Sequence, residues 1–439
     1  MPERRGTHAR GVTRAFRFRE FRVLWTAEVV SVAGDQLARV ALAVAVFGRT
    51  GSPLCSAVTY ALTFLPAILG GVLLGGLADR FPRREVMVAC DVVRAILIAL
   101  MAVAGLPLWG LWTVLVLTVL VTPVHTAAQG ALLPTVLPDS VLECGFAVRQ
   151  ITGQAAQVAG FALGGVLITL LSPPAALLVD AATFIVSALV LRLGLPRRPP
   201  ACSDTRVRRA RWSVGAVRRL LSDVAARVNT VVHDPRRRTY ACVVWLIGCY
   251  VVPEALAAPY AARLEADPSA VGLLMAADPA GSVVGAWLFT RYVPDRLRDR
   301  AVGPLAVLAG LPLLLCAVGP GLWPSILLWA VSGAAATAGL VQAQAGFVRA
   351  TPDRLRGGAI GLAAAGLTAV QGVAALLGGA AAQLGDTQHV IVGCGLLGMI
   401  VATGLWVAHR RLPASPETPT AAQGDPEPVR QRDVVTTRG

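Results

Sequence analysis

Eight ionisable side chains lie inside stretches that are otherwise almost wholly apolar: Glu28, Asp35, Arg39, Asp91, Arg94, Asp180, Glu254 and Asp278. A charge in such surroundings is costly and marks a functional site by default. Glu28, Asp35 and Arg39 are separated by seven and four residues, so they share one face of a helix. At that spacing Asp35 and Arg39 can pair, which keeps Asp35 ionised; Glu28 has only Arg22, or Arg39 by a longer route, within helical reach. Asp91 and Arg94 repeat the design at i,i+3 and read as a gate or structural pair. Glu254 and Asp278 have no arginine nearby in sequence, and an unpaired carboxylate in low dielectric favours its protonated form and can exchange protons near neutral pH. Asp35, Glu28, Glu254 and Asp278 are the candidate proton-coupling residues, with Asp180 a weaker one. Structural alternatives stand beside each. The Asp35–Arg39 pair can serve to fix helix register. Pro253 can end its helix early and leave Glu254 near an outer mouth, and Asp278-Pro279 can mark a broken helix whose aspartate caps the second half.

Other chemistries are excluded by residue type. All 40 basic residues are arginine, so there is no Walker A lysine, no Schiff-base lysine and no kinase-type lysine. ATP-driven transport within this chain is out, and an enzyme is not expected. The eight cysteines lack C-x-x-C spacing and sit mostly in apolar runs, as small core residues rather than disulfides or metal ligands. Gly393 to Gly398 matches G-x-G-x-x-G, but inside an apolar helix with no strand before it, so no dinucleotide is expected. No cofactor and no metal are expected.

The elements that hold these residues are membrane helices. The chain has 439 residues, 55% hydrophobic and 15% charged, with a mean hydropathy of +0.64; a soluble protein carries nearer a quarter charged residues. Apolar segments of about the length a bilayer needs run over 22–47, 56–77, 86–106, 109 to at least 122, 147–171 and 174–195, then 240–260, 269–290, 301–318, 322–346, 357–383 and 388–408. Twelve membrane helices in two six-helix bundles is the expected all-α fold. The expected organisation is a basic arm over 1–17, a first bundle over 18–195, an arginine-rich loop over 196–238, a second bundle over 239–410 and a disordered tail over 411–439. The loop carries twelve arginines and an apolar stripe, Val214, Val217, Leu221, Val224, Val228 and Val231, so an amphipathic helix on the membrane surface is expected. The net charge of +15 reads as orientation and contact with membrane lipid, not nucleic acid.

Arginine placement sets the topology. Arg80, Arg83 and Arg84, the twelve-arginine loop, Arg291 to Arg300 and Arg349 to Arg356 fall in alternate connections, which puts both termini in the cytoplasm. The halves also repeat. Pro138-Asp139, Gln157 and Gly164-Gly165 recur as Pro352-Asp353, Gln371 and Gly378-Gly379, each displaced by 214 residues, the trace of a parallel six-plus-six repeat.

Gly75, Asp79, Arg80, Arg83 and Arg84 resemble the signature loop between the second and third membrane helices of the major facilitator superfamily, G-x-x-x-D-R-x-G-R-R, with Pro82 where the second glycine is usual. Leu24-Trp25 and Gly34-Asp35 resemble the first helix of its exporter-like branch, which includes siderophore and macrolide efflux proteins. Gly160 to Gly165 resembles the antiporter motif G-P-x-x-G-G, with Phe161 in the proline position; helix packing by Gly160, Gly164, Gly165, Gly378 and Gly379 is the plainer reading. The resemblance implies alternating access around a midplane cavity, with the Gly75 to Arg84 loop gating the inward face. Export of a small amphipathic molecule in exchange for protons is the function expected, by a monomer acting on a small-molecule substrate. A nutrient importer of the same fold and a non-transporting membrane sensor are the alternatives.

Overall fold

The structure, a computed structural model, describes residues 14–74, 77–103, 105–199, 228–229 and 231–411. The first half is built from α1 (Arg19–Thr50), α2 in three pieces (Pro53–Ala61, Leu65–Leu74 and Leu77–Arg80), α3 (Arg83–Met101), α4 (Leu108–Val136), α5 (Asp139–Leu170) and α6 (Pro173–Gly194). The second contains α7 in pieces (Pro235–Gly248, Val252–Ala255 and Ala257–Arg263), α8 (Ser269–Tyr292), α9 (Asp295–Leu315), α10 (Leu322–Arg349), α11 (Asp353–Leu384) and α12 (Thr387–Arg410). No strand occurs among the described residues, and the all-α, twelve-helix organisation is the one the sequence leads to. The amphipathic helix expected in the arginine-rich loop lies outside the described residues up to 227, as do most of the N-terminal arm and of the tail; of its stripe, Val231 is buried and Val228 exposed.

Ten of these helices are long and apolar enough to cross a bilayer, and α7 makes eleven if its two parts, bent by 45°, count as one span. The twelfth is α3, whose polarity is turned inward. Asp91 and Arg94 are 0% and 3% exposed, whereas Val93 and Ile96 on the other faces are 42% and 62% exposed. The charges that lower its mean hydropathy are thus the ones facing the bundle, the arrangement expected of ionisable groups in lipid.

Helix ends follow local chemistry. Gly51, at φ 60°, closes α1 in the left-handed conformation, and the Ser52 hydroxyl accepts the Cys55 N–H at 3.2 Å to start α2. Asp234 and Asp386 cap α7 and α12, accepting N–H groups of Arg236 and Gln388. Pro138 and Pro352 precede α5 and α11, so the repeated Pro-Asp pair marks equivalent helix starts. Helix α5 therefore begins at Asp139, not near 147. The arm expected up to residue 17 is packed before its end: Ala15 is buried, and Phe16 sits edge-on to Phe21 and Trp25 at 5.5 and 5.2 Å.

The repeated glycine pairs occupy equivalent places. A Cβ at Gly164 would meet Leu37 and Val40 of α1 at 3.2 Å, and one at Gly378 would meet Val252 of α7 at 2.6 Å, both within their own half. Their neighbours face across. A Cβ at Gly165 would lie 2.6 Å from the Ser269 carbonyl oxygen of α8, and one at Gly379 would overlap Ala57 of α2. Gly160 lets α5 approach the Ala33 carbonyl of α1, where a Cβ would sit at 2.6 Å. The G-x-G-x-x-G string in α12 packs helices too: Gly395 lies against Gly310 of α9 and Gly398 against Tyr250.

These approaches locate the closed side of the molecule. The second residues of both pairs, and the bonds of Gln383 with Ser52 and Leu54 N–H, lie at the start of α2 and α8 and the end of α5 and α11. That is the end with arginine-poor connections. The loop from Leu77 to Arg84 lies at the opposite end and holds to its own half: Arg83 donates to the Ala131 carbonyl of α4 at 2.6 Å and Arg84 to Leu195 at 3.0 Å. Both carbonyls lie near the C-terminal ends of helices, where cations are favoured. Gly75 and the side chain of Asp79 lie outside the described residues.

Candidate functional site

The charged residues of the first half assemble around Arg94. Its Nη2 donates to both oxygens of Asp35, at 3.1 and 2.8 Å. Its Nη1 is 3.8 Å from Asp91 Oδ1, and its guanidinium lies 3.9 Å over the Phe184 ring. The partner of Asp35 is therefore Arg94 of α3, in place of the i,i+4 pairing with Arg39. Arg39 has its guanidinium 5.4 Å over the Phe64 ring of α2 instead. Asp91, wholly buried, accepts the Ser187 hydroxyl at 2.6 Å and faces His125 Nε2 at 3.4 Å. Glu28 has a partner that sequence spacing could not supply: Arg149 of α5 donates to both of its oxygens, at 2.6 and 2.8 Å.

Asp180 of α6 completes the cluster. It is 0% exposed, its Oδ1 lies 3.2 Å from the Thr183 hydroxyl, and its Oδ2 has no hydrogen-bond partner. Gly34 explains how α1 and α6 come so close here, since a Cβ on it would overlap Asp180 Oδ1 and Thr183 Oγ1. The Gly34-Asp35 pair is thus a packing residue next to a charged one.

The remaining carboxylates belong to the second half. Glu254 lies in the short Val252–Ala255 piece, where α7 breaks; it is 7% exposed and accepts a hydrogen bond from the Tyr60 hydroxyl of α2. This contact crosses between the halves on the closed side. The helix does turn after Pro253, but Ala257–Arg263 carries it two further turns, so Glu254 is buried below the mouth. Asp278 is half-buried on α8 and packs against Gly333 of α10. Helix α8 runs unbroken through Pro279, so Asp278 caps no second segment.

Counting charges shows what the arrangement can do. Among the described residues Glu28, Asp35, Asp91, Asp180, Glu254 and Asp278 share the helix interior with three guanidiniums, Arg39, Arg94 and Arg149. Among the described residues Asp180, Glu254 and Asp278 have no cation within salt-bridge distance. Burying an unpaired carboxylate costs free energy that a nearby cation or a bound proton would offset. Among the described residues there is no cluster of His, Cys, Asp and Glu able to hold a metal ion.

Sequence spacing missed Tyr60, His125 and Arg149. A tyrosine and a histidine in apolar helices carry no local signal of their partners. Arg149 did carry one. The Pro138-Asp139 start, repeated at Pro352-Asp353, places it ten residues inside α5, on the helix and not in the connection before it.

The sequence profile of the Major Facilitator Superfamily matches residues 24–253 and again 246–438. The chain belongs to that superfamily. Two overlapping matches fit its two halves. Relatives include the multidrug efflux pump Tap of Mycobacterium tuberculosis, 27% identical over 421 residues, 91% of this chain and 94% of that one. The macrolide efflux protein A of Streptococcus pyogenes is 27% identical over 127 residues, 28% of this chain and 31% of that protein. The chain spans less than half the length of some of the curated relatives it matches, 42% for an uncharacterised Bacillus subtilis transporter. Among solved structures, a POT family transporter in complex with 5-aminolevulinic acid superposes with a TM-score of 0.71 at 11% identity, covering 89% of this chain and 96% of that chain. The chain is thus a multi-pass membrane member of that superfamily, with relatives named for efflux.

Proposed function

We propose that the protein exports a small amphipathic molecule, drug-like or a secreted metabolite, by alternating access in exchange for protons, acting as a monomer with both termini in the cytoplasm. The observation that carries this reading is the charge imbalance of the interior, six carboxyl groups against three guanidiniums among the described residues. Such a site binds and releases protons as its surroundings change between facing one side and the other. Efflux-named relatives support the direction, and the arginine bias supports the orientation. On that orientation the closed end is external, and Asp35, with its side chain 35% exposed midway along α1, is reached from the cytoplasm.

The test uses everted membrane vesicles and a panel of amphipathic compounds, with a pH-sensitive dye inside. Compound uptake accompanied by proton release from the vesicle lumen is expected. Transport of a compound with no proton movement would remove the exchange mechanism, and accumulation by intact cells would reverse the direction.

A further inference from the structure

A cavity of about 100 Å³ lies within the first half, between α1, α2, α3, α4 and α6. It is large enough for about three waters. Its polar lining comes from Asp35 and Arg39 of α1, Thr63 of α2, Thr118 and Thr122 of α4, and Asp180 of α6. Asp180 is the member whose bonding does not fit an ion. A carboxylate needs donors on both oxygens, and here Oδ1 has only the Thr183 hydroxyl, itself already donating to the Asp180 carbonyl at 2.7 Å, while Oδ2 is buried without a partner. A neutral carboxyl needs one acceptor for its O–H, and a water in the cavity supplies it.

The groups around it define how such a proton would move. From α1, Asp35 is a like charge on the cavity wall and Arg39 lines the same wall; from α3, Arg94 is held by Asp35, with Asp91 on its far side. Helices α2 and α4 present threonines and apolar side chains there, without a titratable group. Of the two cations, Arg39 has its guanidinium over the Phe64 ring of α2, and Arg94 is engaged by Asp35, so a change at the Asp35–Arg94 pair is what would free a cation to replace a proton on Asp180.

We propose that Asp180 is a proton-binding site that works against the Asp35–Arg94 ion pair. While Arg94 holds Asp35, Asp180 keeps its proton. When a helix shift or a bound substrate frees Arg94 from Asp35, the guanidinium swings to Asp180, whose O–H bond breaks; the electron pair stays on the carboxylate and the proton passes to cavity water. The proposal rests on the proton-exchange reading for its part in transport, but the protonated state of Asp180 is testable without it.

Infrared spectroscopy of the purified full-length protein at neutral pH reads protonated carboxyl groups directly through their C=O stretch. Asp180→Asn is expected to remove one component of that band, and Thr183→Val, which keeps the carboxyl and deletes its hydroxyl neighbour, to shift the same component. Arg94→Gln leaves the component in place and extends it to higher pH. An unchanged carboxyl band in Asp180→Asn, with the protein eluting as the wild type does, overturns the proposal; so does an unshifted band in Thr183→Val if Asp180→Asn fails to fold. The vesicle assay separates the two ideas. Wild-type exchange with an unchanged Asp180→Asn spectrum sinks the proton site alone, whereas an Asp180 component without any proton movement upholds the site and sinks the exchange reading.

Discussion

The side chain of Arg94 is 4% exposed, and its guanidinium meets Asp35 at 2.8 Å, Asp91 at 3.8 Å and the Phe184 ring at 3.9 Å, while its Nε is buried without a hydrogen-bond partner. Removing one partner of a buried pair leaves an uncompensated charge and costs about 3–5 kcal/mol. Arg94→Ala is therefore expected to destabilise the purified protein by that order, seen as a large fall in melting temperature in detergent. Arg39→Ala loses a ring contact and should cost about 1 kcal/mol or less. Equal losses in the two variants would show that Asp35 depends on its own helix after all. Arg94→Lys is not expected to rescue, because a lysine ammonium offers neither the planar fork nor the flat face that lies on Phe184. The contrast shows how legible the site was. The ionisable residues themselves stand out against apolar neighbours, so Asp35, Arg94, Glu254 and Asp278 are found by composition. Their partners are not, because Asp35–Arg94 and Glu28–Arg149 join different helices, 59 and 121 residues apart in sequence, where a rule of three and four residues has no reach.

Helices were legible where they are uniformly apolar and bounded by turn chemistry. The boundaries of α5 and the break in α7 were not, since α5 opens on the exposed polar residues Asp139 and Ser140 and Pro253 alone does not say whether the chain resumes as helix. The end of α12 shows what a single boundary residue contributes. Asp386 caps the helix through the Gln388 N–H at 3.1 Å and binds Arg263 at the end of α7. Partial burial pushes its carboxyl upward, but the Gln388 N–H and the Arg263 guanidinium outweigh it and hold the carboxyl below the usual aspartate range. Asp386→Ala should lower stability by roughly 1 kcal/mol, the usual cost of a lost cap. The folded value lies below the unfolded one, so this contribution is complete above the ordinary aspartate pKa of about 3.9 and disappears as pH falls through the folded value. Thermal melts of wild type and Asp386→Ala should accordingly differ at neutral pH and converge in acid; a difference that grows in acid would contradict the sign. At the opposite end, Arg83 ties the α2–α3 loop to the last turns of α4. If that loop is released and re-engaged in each cycle, Arg83→Ala should slow turnover at least several-fold while leaving substrate affinity within a few-fold. Normal turnover at normal expression would dismiss the loop as a gate.

Two halves joined at one end make a molecule with a closed side and an open side, and the glycine pairs separate the contacts that must change from those that need not. Gly164 and Gly378 pack inside their own halves, and those contacts persist if each half moves as a body. Gly165 and Gly379 touch the other half, and these contacts exist only while that end is shut. A leucine at position 165 would have to fit where a Cβ alone lies 2.6 Å from the Ser269 carbonyl oxygen and 3.0 Å from the Gly272 Cα. Backbone cannot yield as a side-chain tip can, so Gly165→Leu should drive the halves apart at this end without damaging either one. A reporter cysteine at Leu54, which borders the Gly379 contact, can read the opening in a cysteine-free background with a membrane-impermeant maleimide on intact cells. Slow labelling is expected with Gly165 in place, and labelling several-fold faster in Gly165→Leu. Gly164→Leu should instead lower stability through Leu37 and Val40 and leave the labelling rate near that of the parent. Labelling confined to everted membranes would reverse the orientation drawn from the arginines. Equal rates in Gly165→Leu and its parent would mean that this glycine contact does not hold the end closed, and the tie would then fall to the Ser52–Gln383 and Tyr60–Glu254 bonds.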